Sequence, residues 1–226
     1  MYFSRIKLLL EATKSEGFWD MLADGYEVHR SLWSLFADGS KKSRDFLYRH
    51  EEGEKIPLFY CVSKGVPKDL GGIWGIESKE YNPVLWGGQR LAFSLRANPI
   101  VSKRDNKGRQ HRHDVVMDAK RQMRQENAPM EELPMEALIV QEAGFEWFSR
   151  KCEGCGFSVK KREVKADGYQ QLRFSKLHSG HKVSISTVDF EGLLTVDDTE
   201  LFRKALYGGV GPAKGFGCGL LMVRRV

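Results

Sequence analysis

The sequence predicts an α+β fold in which two β-α-β-β-α-β-like cycles follow one another, each built around an antiparallel sheet. Three observations carry this. Short strand-like runs with alternating or continuous apolar character recur along the chain, and segments with helical spacing stand between them. A stretch punctuated by Gly65, Pro67, Gly71, Gly72 and Pro83 ends at Trp86-Gly87-Gly88 and divides the chain into units 1–87 and 88–226. A total of 226 residues at 41% hydrophobic content is enough for one large or two small cores. No repeat is visible by residue identity, so the duplication rests on element order alone.

The first unit opens with a strand from Tyr2 to Leu10. After the turn Asp24-Gly25, residues Tyr26 to Phe36 place Val28, Leu32, Leu35 and Phe36 on one helical face, with Tyr26, His29 and Trp33 on the adjoining flank. Phe46 to Arg49 and Leu58 to Ser63 read as short paired strands. Residues 65–88 read as irregular. The second unit begins with Gln89 to Leu95, where Leu91, Phe93 and Leu95 alternate, and runs into Arg96-Ala97-Asn98-Pro99. Pro134 suits the first turn of a helix over Met135 to Phe148, which carries Leu138, Ile139, Ala143, Phe145 and Phe148 at mostly helical spacing. Phe157 to Lys161 and Tyr169 to Lys176 read as two strands. Val183 to Val188 pairs back through the turn Leu177 to His181, and Glu191 to Val196 forms a further strand. Asp198 to Tyr207 is an amphipathic helix with Leu201, Ala205 and Leu206 inward, and a last strand closes the chain.

The 36 Lys and Arg residues against 30 Asp and Glu give a mild net +6, but the charge is clustered. Arg96 to Arg124 holds nine basic residues and three Asp; Gln125 to Glu146 holds six Glu and no base; Trp147 to Lys182 again holds nine basic residues against three acids. Two basic blocks around an acidic one fit a polyanion-binding face, since affinity for phosphates follows local basic contacts; two solvated charged loops fit as well. With no secretory leader and no apolar run near ~18 residues, a cytoplasmic protein without membrane contact is expected. Cys61 and Cys218 lie in apolar surroundings and read as reduced core residues. Cys152 and Cys155 form a Cys-x-x-Cys turn with no second cysteine pair; incidental thiols and a zinc site completed by His178 and His181 both fit it.

Between Tyr207 and Gly219 six of thirteen residues are glycine, and the segment joins a helix to the final strand. Glycines let backbone N–H groups curl around an anion, with Lys214 adding a point charge; a tight helix-to-strand connector is the other reading. The Gly-x-x-x-x-Gly-Lys-Ser/Thr pattern is absent, and the order helix, loop, strand is the reverse of a dinucleotide fingerprint.

Gly-Val-Gly-Pro-Ala-Lys-Gly-Phe-Gly-Cys-Gly after two such cycles resembles the glycine-rich loop of the repeat-associated (RAMP) superfamily of CRISPR RNA-processing proteins. Gln89-Arg90-Leu91-Ala92-Phe93-Ser94-Leu95-Arg96-Ala97-Asn98-Pro99, Val188-Asp189-Phe190-Glu191-Gly192 and Gly25-Tyr26-Glu27-Val28-His29-Arg30 are together similar to the CasE family, the repeat-cleaving endoribonuclease subunits of the Cascade complex. The likeness covers nearly the whole chain; the Cys152-Glu153-Gly154-Cys155 turn departs from it. It implies two tandem ferredoxin-like (RRM-like) domains, the first carrying the catalytic helix, and cleavage of the stem-loop of CRISPR repeat RNA without metal or cofactor. In that chemistry a 2′-hydroxyl attacks the adjacent phosphate to leave 2′,3′-cyclic phosphate and 5′-hydroxyl ends. His29 matches the family's catalytic position, Tyr26 matches its tyrosine, and Arg30 is placed to hold the phosphate. RNA contacts are expected from Arg96, Lys103, Arg104, Arg173, Lys176 and Lys214, with Gly209, Gly211, Gly215, Gly217 and Gly219 shaping the loop through positive φ. Other Cascade subunits are the expected protein partners. A non-catalytic RNA-binding subunit and a nucleotide-dependent enzyme remain as alternatives.

Overall fold

The computed structural model describes residues 1–9, 25–36, 45–51, 56–125, 134–175 and 182–226, with the backbone alone for 25–29, 173–175 and 182–183. The elements are β1 (Tyr2–Leu8), α1 (Gly25–Ser34), β2 (Phe46–Glu51), β3 (Leu58–Ser63), β4 (Trp74–Glu80), β5 (Arg90–Ala97), β6 (Ile100–Arg104), β7 (Gln110–Asp114), α2 (Val115–Gln125), α3 (Glu136–Glu153), β8 (Phe157–Ser175), β9 (Lys182–Val196), α4 (Thr199–Gly208), a 3-10 turn (Lys214–Phe216) and β10 (Leu221–Arg225).

Two four-stranded antiparallel sheets result, ordered β2-β3-β1-β4 and β10-β5-β9-β8. In the first, Ile6, Leu8, Phe46, Phe59 and Trp74 face Leu32 and Leu35 of and just beyond α1, and Phe36 stacks on Phe46 at 4.3 Å. In the second, Phe93, Phe148, Phe157, Phe190 and Phe202 build an aromatic core, with Phe148 and Phe190 stacked at 4.9 Å. Each such ring contributes roughly 1.5–3 kcal/mol when buried. A third apolar cluster joins the two: Leu47 and Val62 from the first sheet and Leu220 before β10, with Phe3, Tyr81, Tyr207 and Met222 around them.

Three sequence expectations are corrected. Residues 74–80, read as irregular, form edge strand β4; only Trp74 in it is buried, so it shows no apolar alternation. The first basic block is ordered, as the ribbon β6–β7 followed by α2, whose side chains are mostly exposed. The four short late strands are two long ones, β8 and β9. Asp167-Gly168, which looks like a turn, is an irregularity inside β8, and a second interrupts its ladder between Val159 and Val164. The helix α4 begins where expected because Asp198 caps it, accepting from the N–H groups of Glu200 and Leu201 at 2.9 Å each. Among the described residues no helix is long and apolar enough to cross a membrane.

Candidate active site

After α4 the chain must turn back to reach β10, and it does so through left-handed backbone. Gly209, Gly211, Gly217 and Gly219 have φ of 76°, 78°, 77° and 91°, and Ala213 reaches 57°. Gly215 differs from expectation, since it sits inside the right-handed Lys214–Phe216 turn; Ala213 takes a left-handed position instead. Two glycines are also required by space. A Cβ on Gly209 would stand 2.9 Å from both the Gly219 carbonyl and a Leu47 methyl, and one on Gly219 would stand 2.9 Å from the Val210 carbonyl. The loop is closed by Val210 N–H donating to the Gly219 carbonyl at 2.9 Å and by Gly219 N–H donating to the Arg96 carbonyl at 2.7 Å.

The Lys214–Phe216 turn then packs against the other half of the molecule. Both α1 and β2 lie against it. Tyr48, buried on β2 and held by Phe46 and Phe59, donates its hydroxyl to the Gly215 carbonyl at 3.0 Å. The helix that carries Tyr26, His29 and Arg30 is therefore seated on the turn that carries Lys214, although some 180 residues separate them in sequence. Arg30 is exposed and Lys214 half-buried; the side chains of Tyr26 and His29 lie outside the described residues. Of what the fold brings together here, the sequence missed Tyr48, which looks like one more apolar strand residue.

The expected RNA-contacting residues divide. Arg96 donates from Nε and Nη2 to the two carboxylate oxygens of Asp189 across the β5–β9 ladder, both at 2.8 Å, with about a fifth of each side chain exposed. That edge of the guanidinium is thus engaged by a carboxylate within the protein, which gives Arg96 a structural role at the mouth of the glycine loop. Lys103 pairs with Asp118 at 2.5 Å, whereas Arg104 is exposed on the same ribbon. Arg173 stands opposite Ser184 near the far end of the β8–β9 ribbon with its side chain outside the described residues; Lys176, His178 and His181 lie outside them altogether.

A second bridge between the sheets runs beside Tyr48. Arg49, buried, donates to the Ser94 hydroxyl on β5 at 2.7 Å; its Nε lies 2.9 Å from Glu51 but is not aligned for a hydrogen bond. The cysteines are all free. Burial pushes the thiols of Cys61 and Cys152 far up and that of Cys218 to about 12, and Cys152 donates to the Phe148 carbonyl at 3.1 Å. Among the described residues no three His, Cys, Asp or Glu side chains gather as metal ligands would.

Comparison with known proteins agrees over the whole length. A family model described as CRISPR associated protein matches residues 1–225. The chain is 32% identical over 201 residues, 88% of this chain and 90% of the relative, to the CRISPR system Cascade subunit CasE of Escherichia coli. It is 29% identical over 217 residues to the CRISPR-associated endoribonuclease Cse3 of Thermus thermophilus, covering 89% of this chain and 90% of that one. A solved structure of CRISPR endoribonuclease Cse3 bound to a 19-nucleotide RNA superposes with a TM-score of 0.72 at 27% identity, covering 99% of this chain and 100% of that chain.

Proposed function

The chain belongs to the family of CRISPR-associated proteins, and from that premise we propose that it is an endoribonuclease that binds the stem-loop of CRISPR repeat RNA and cuts precursor transcripts into guide RNAs. The observation that carries this reading is α1 resting on the Lys214–Phe216 turn, in a chain similar throughout to an endoribonuclease captured with RNA. Residues 1–87 form the domain that supplies the catalytic helix, and residues 88–226 the domain that supplies the glycine loop and the basic ribbons. The working compartment is the cytoplasm, where four free cysteines stay reduced, and the protein partners are other subunits of Cascade.

In the proposed reaction the 2′-hydroxyl 5′ to the scissile phosphate attacks that phosphate, and the bond to the departing 5′-oxygen breaks. His29 gives that oxygen its proton, an effect typically worth ~100- to 10,000-fold. Tyr26, one helical turn earlier, orients or deprotonates the attacking hydroxyl. Arg30 and Lys214 stabilise the charge that builds on the phosphoryl oxygens. No metal ion takes part. Arg104, Arg173 on the far ribbon, and Lys176 grip the stem, whose narrow A-form major groove admits a protein ribbon best near a helix end or loop.

His29→Ala tests the assignment. A residue that transfers a proton but holds little of the ground-state RNA should lose ~100-fold or more in cleavage rate while the dissociation constant stays within a few-fold. RNA with a 2′-deoxy nucleotide 5′ of the scissile phosphate should bind and resist cutting, and chelator should change nothing. Wild-type cutting by His29→Ala, or cutting of the deoxy substrate at the same phosphate, would overturn the mechanism and leave RNA binding alone.

A further inference from the structure

Among the described residues, helices pack against one face of the second sheet. Leu91, Phe93 and Leu95 of β5 turn into the aromatic core, so Ala92 and Ser94 must point the other way. On that open face the ladder aligns Met222, Ser94 and Glu191 in one rung and Arg224, Ala92 and Leu193 in the next. A pocket of about 760 Å³ lies over them, with Ala92, Leu193 and Met222, each partly exposed, as its floor.

One wall of the pocket is made by a bulge. The β8–β9 ladder breaks after Val159 and resumes at Val164 opposite Gly192, which lets Lys160 to Glu163 swing out and puts Arg162 at the pocket's edge with its side chain 80% exposed. Gly192 has φ of 153°, and a Cβ there would lie 1.9 Å from the Glu163 carbonyl oxygen, so the bulge is seated where only glycine fits. Bulges of this kind re-aim side chains beside binding sites. The charges at the rim are unevenly satisfied. Glu163 is drawn to Arg90 at 3.0 Å, and its other oxygen is 4.0 Å from Arg162; Lys165 pairs with Asp167; Glu191 accepts from Ser94 at 3.5 Å. Arg224, exposed, has no ion pair with a described residue. Arg162 and Arg224 are left as the cations with room for a ligand.

We infer that this pocket holds a nucleotide of single-stranded RNA lying outside the repeat stem-loop, its base on the Ala92, Leu193 and Met222 floor and its phosphates on Arg162 and Arg224. An apolar floor with a cationic rim suits a base joined to a phosphodiester, and Met222 offers a sulfur to the ring. Phe93 is the one aromatic residue of the lining and its ring is buried in the core, so a base would rest on aliphatic and thioether surface. Its position fits the same substrate: Ser94 on the pocket lining takes a hydrogen bond from Arg49, and the preceding residue of β2, Tyr48, holds the glycine turn. Strand β2 thus touches both the turn beside the catalytic helix and the lining of the pocket.

The inference rests on the RNA-cleaving reading, and the test separates the two. Binding is measured for a repeat stem-loop with blunt ends and for the same stem-loop carrying about ten unpaired nucleotides at its 5′ or its 3′ end, with wild type, Arg162→Glu, Arg224→Glu and the double variant. Wild type should hold one extended RNA at least ~5-fold tighter than the blunt one, with a salt slope steeper by ~1.4 units, as two single-strand phosphate contacts of ~0.7 each require. The double variant should lose that increment while binding and cutting the blunt stem-loop like wild type. No increment in wild type, an increment kept by the double variant, or an equal loss on the blunt stem-loop would each overturn the site. Failure of wild type to cut the blunt stem-loop would instead defeat the functional reading, whatever the increment.

Discussion

Gly219→Ala is the sharpest probe of how the glycine loop works, because it changes one methyl group and no charge. At φ of 91° an L-residue pays roughly 1–2 kcal/mol for the left-handed backbone. The new Cβ would also meet the Val210 carbonyl at 2.9 Å, and a backbone atom cannot swing away as a side chain can. The loop must open there, straining the 2.9 Å bond from Val210 N–H to the Gly219 carbonyl, a further ~0.5–1.5 kcal/mol. Together the cost is about 1.5–3.5 kcal/mol, which for a chain of this size lowers the melting temperature by roughly 3–14 °C. Because Gly219 N–H also bonds the Arg96 carbonyl, the loss reaches the Lys214–Phe216 turn, and single-turnover cleavage should slow with it. Gly215→Ala, inside a right-handed turn, should melt within about 3 °C of wild type. Gly219→Ala melting with wild type, or Gly215→Ala suffering as much, would show that left-handed geometry is not what the loop's glycines supply.

Tyr48→Phe removes the hydroxyl held by the Gly215 carbonyl at 3.0 Å and leaves the ring in place; the cleavage rate should fall about 3- to 10-fold with stem-loop affinity unchanged, and an equal loss of affinity would contradict a positioning role. Burial, then the hydrogen bond to Asp114, raises the Tyr169 hydroxyl to about 12; its neutral form supports the fold below the unfolded value of ~10, and that support is lost as pH rises through about 12. Ultraviolet titration should therefore lose a late-ionising step in Tyr169→Phe, and an unchanged titration curve would refute the assignment. Burial raises all four thiols, least deeply at half-buried Cys155, so a thiol reagent at pH 8 should label Cys155 slowly in the native protein and Cys61, Cys152 and Cys218 only on unfolding; rapid labelling of Cys152 would refute the packing described for it.

What could be seen in the sequence follows from where each element is buried. β1 and β5 each bury one face, so their periods show; the residues expected inward in β5 (Leu91, Phe93, Leu95) are buried, as is Leu32 of α1. β4 and the β6–β7 ribbon bury almost nothing, and a strand without a buried face leaves no alternation to find. Gly168 lies in a gap that the sequence reading leaves between two strands, yet it serves an irregularity inside β8, while Gly192, read within a strand, receives the Glu163 carbonyl without breaking it. Arg96 and Asp189 both lie in segments that carry the family likeness, and nothing in the sequence says that they face each other across a ladder. A basic residue looks the same in sequence whether its partner is a phosphate or a carboxylate 93 positions away.

The placement of Tyr48 and Arg49 gives the two-sheet arrangement its functional meaning. Adjacent residues on a strand point to opposite faces, and here one reaches the glycine turn while the other reaches the open face of the second sheet. Leu47, the residue before them, fills the apolar cluster at the junction and touches the space that Gly209 leaves empty. Three successive residues of β2 thus fix the first sheet to the loop, to the second sheet and to the core between them. A rigid junction is what the proposed chemistry demands, since His29 and Lys214 come from opposite ends of the chain and a displacement of about 1 Å can cost ~100-fold in rate. Mutations at Leu47, Tyr48 or Arg49 should therefore slow cleavage well before they unfold either sheet.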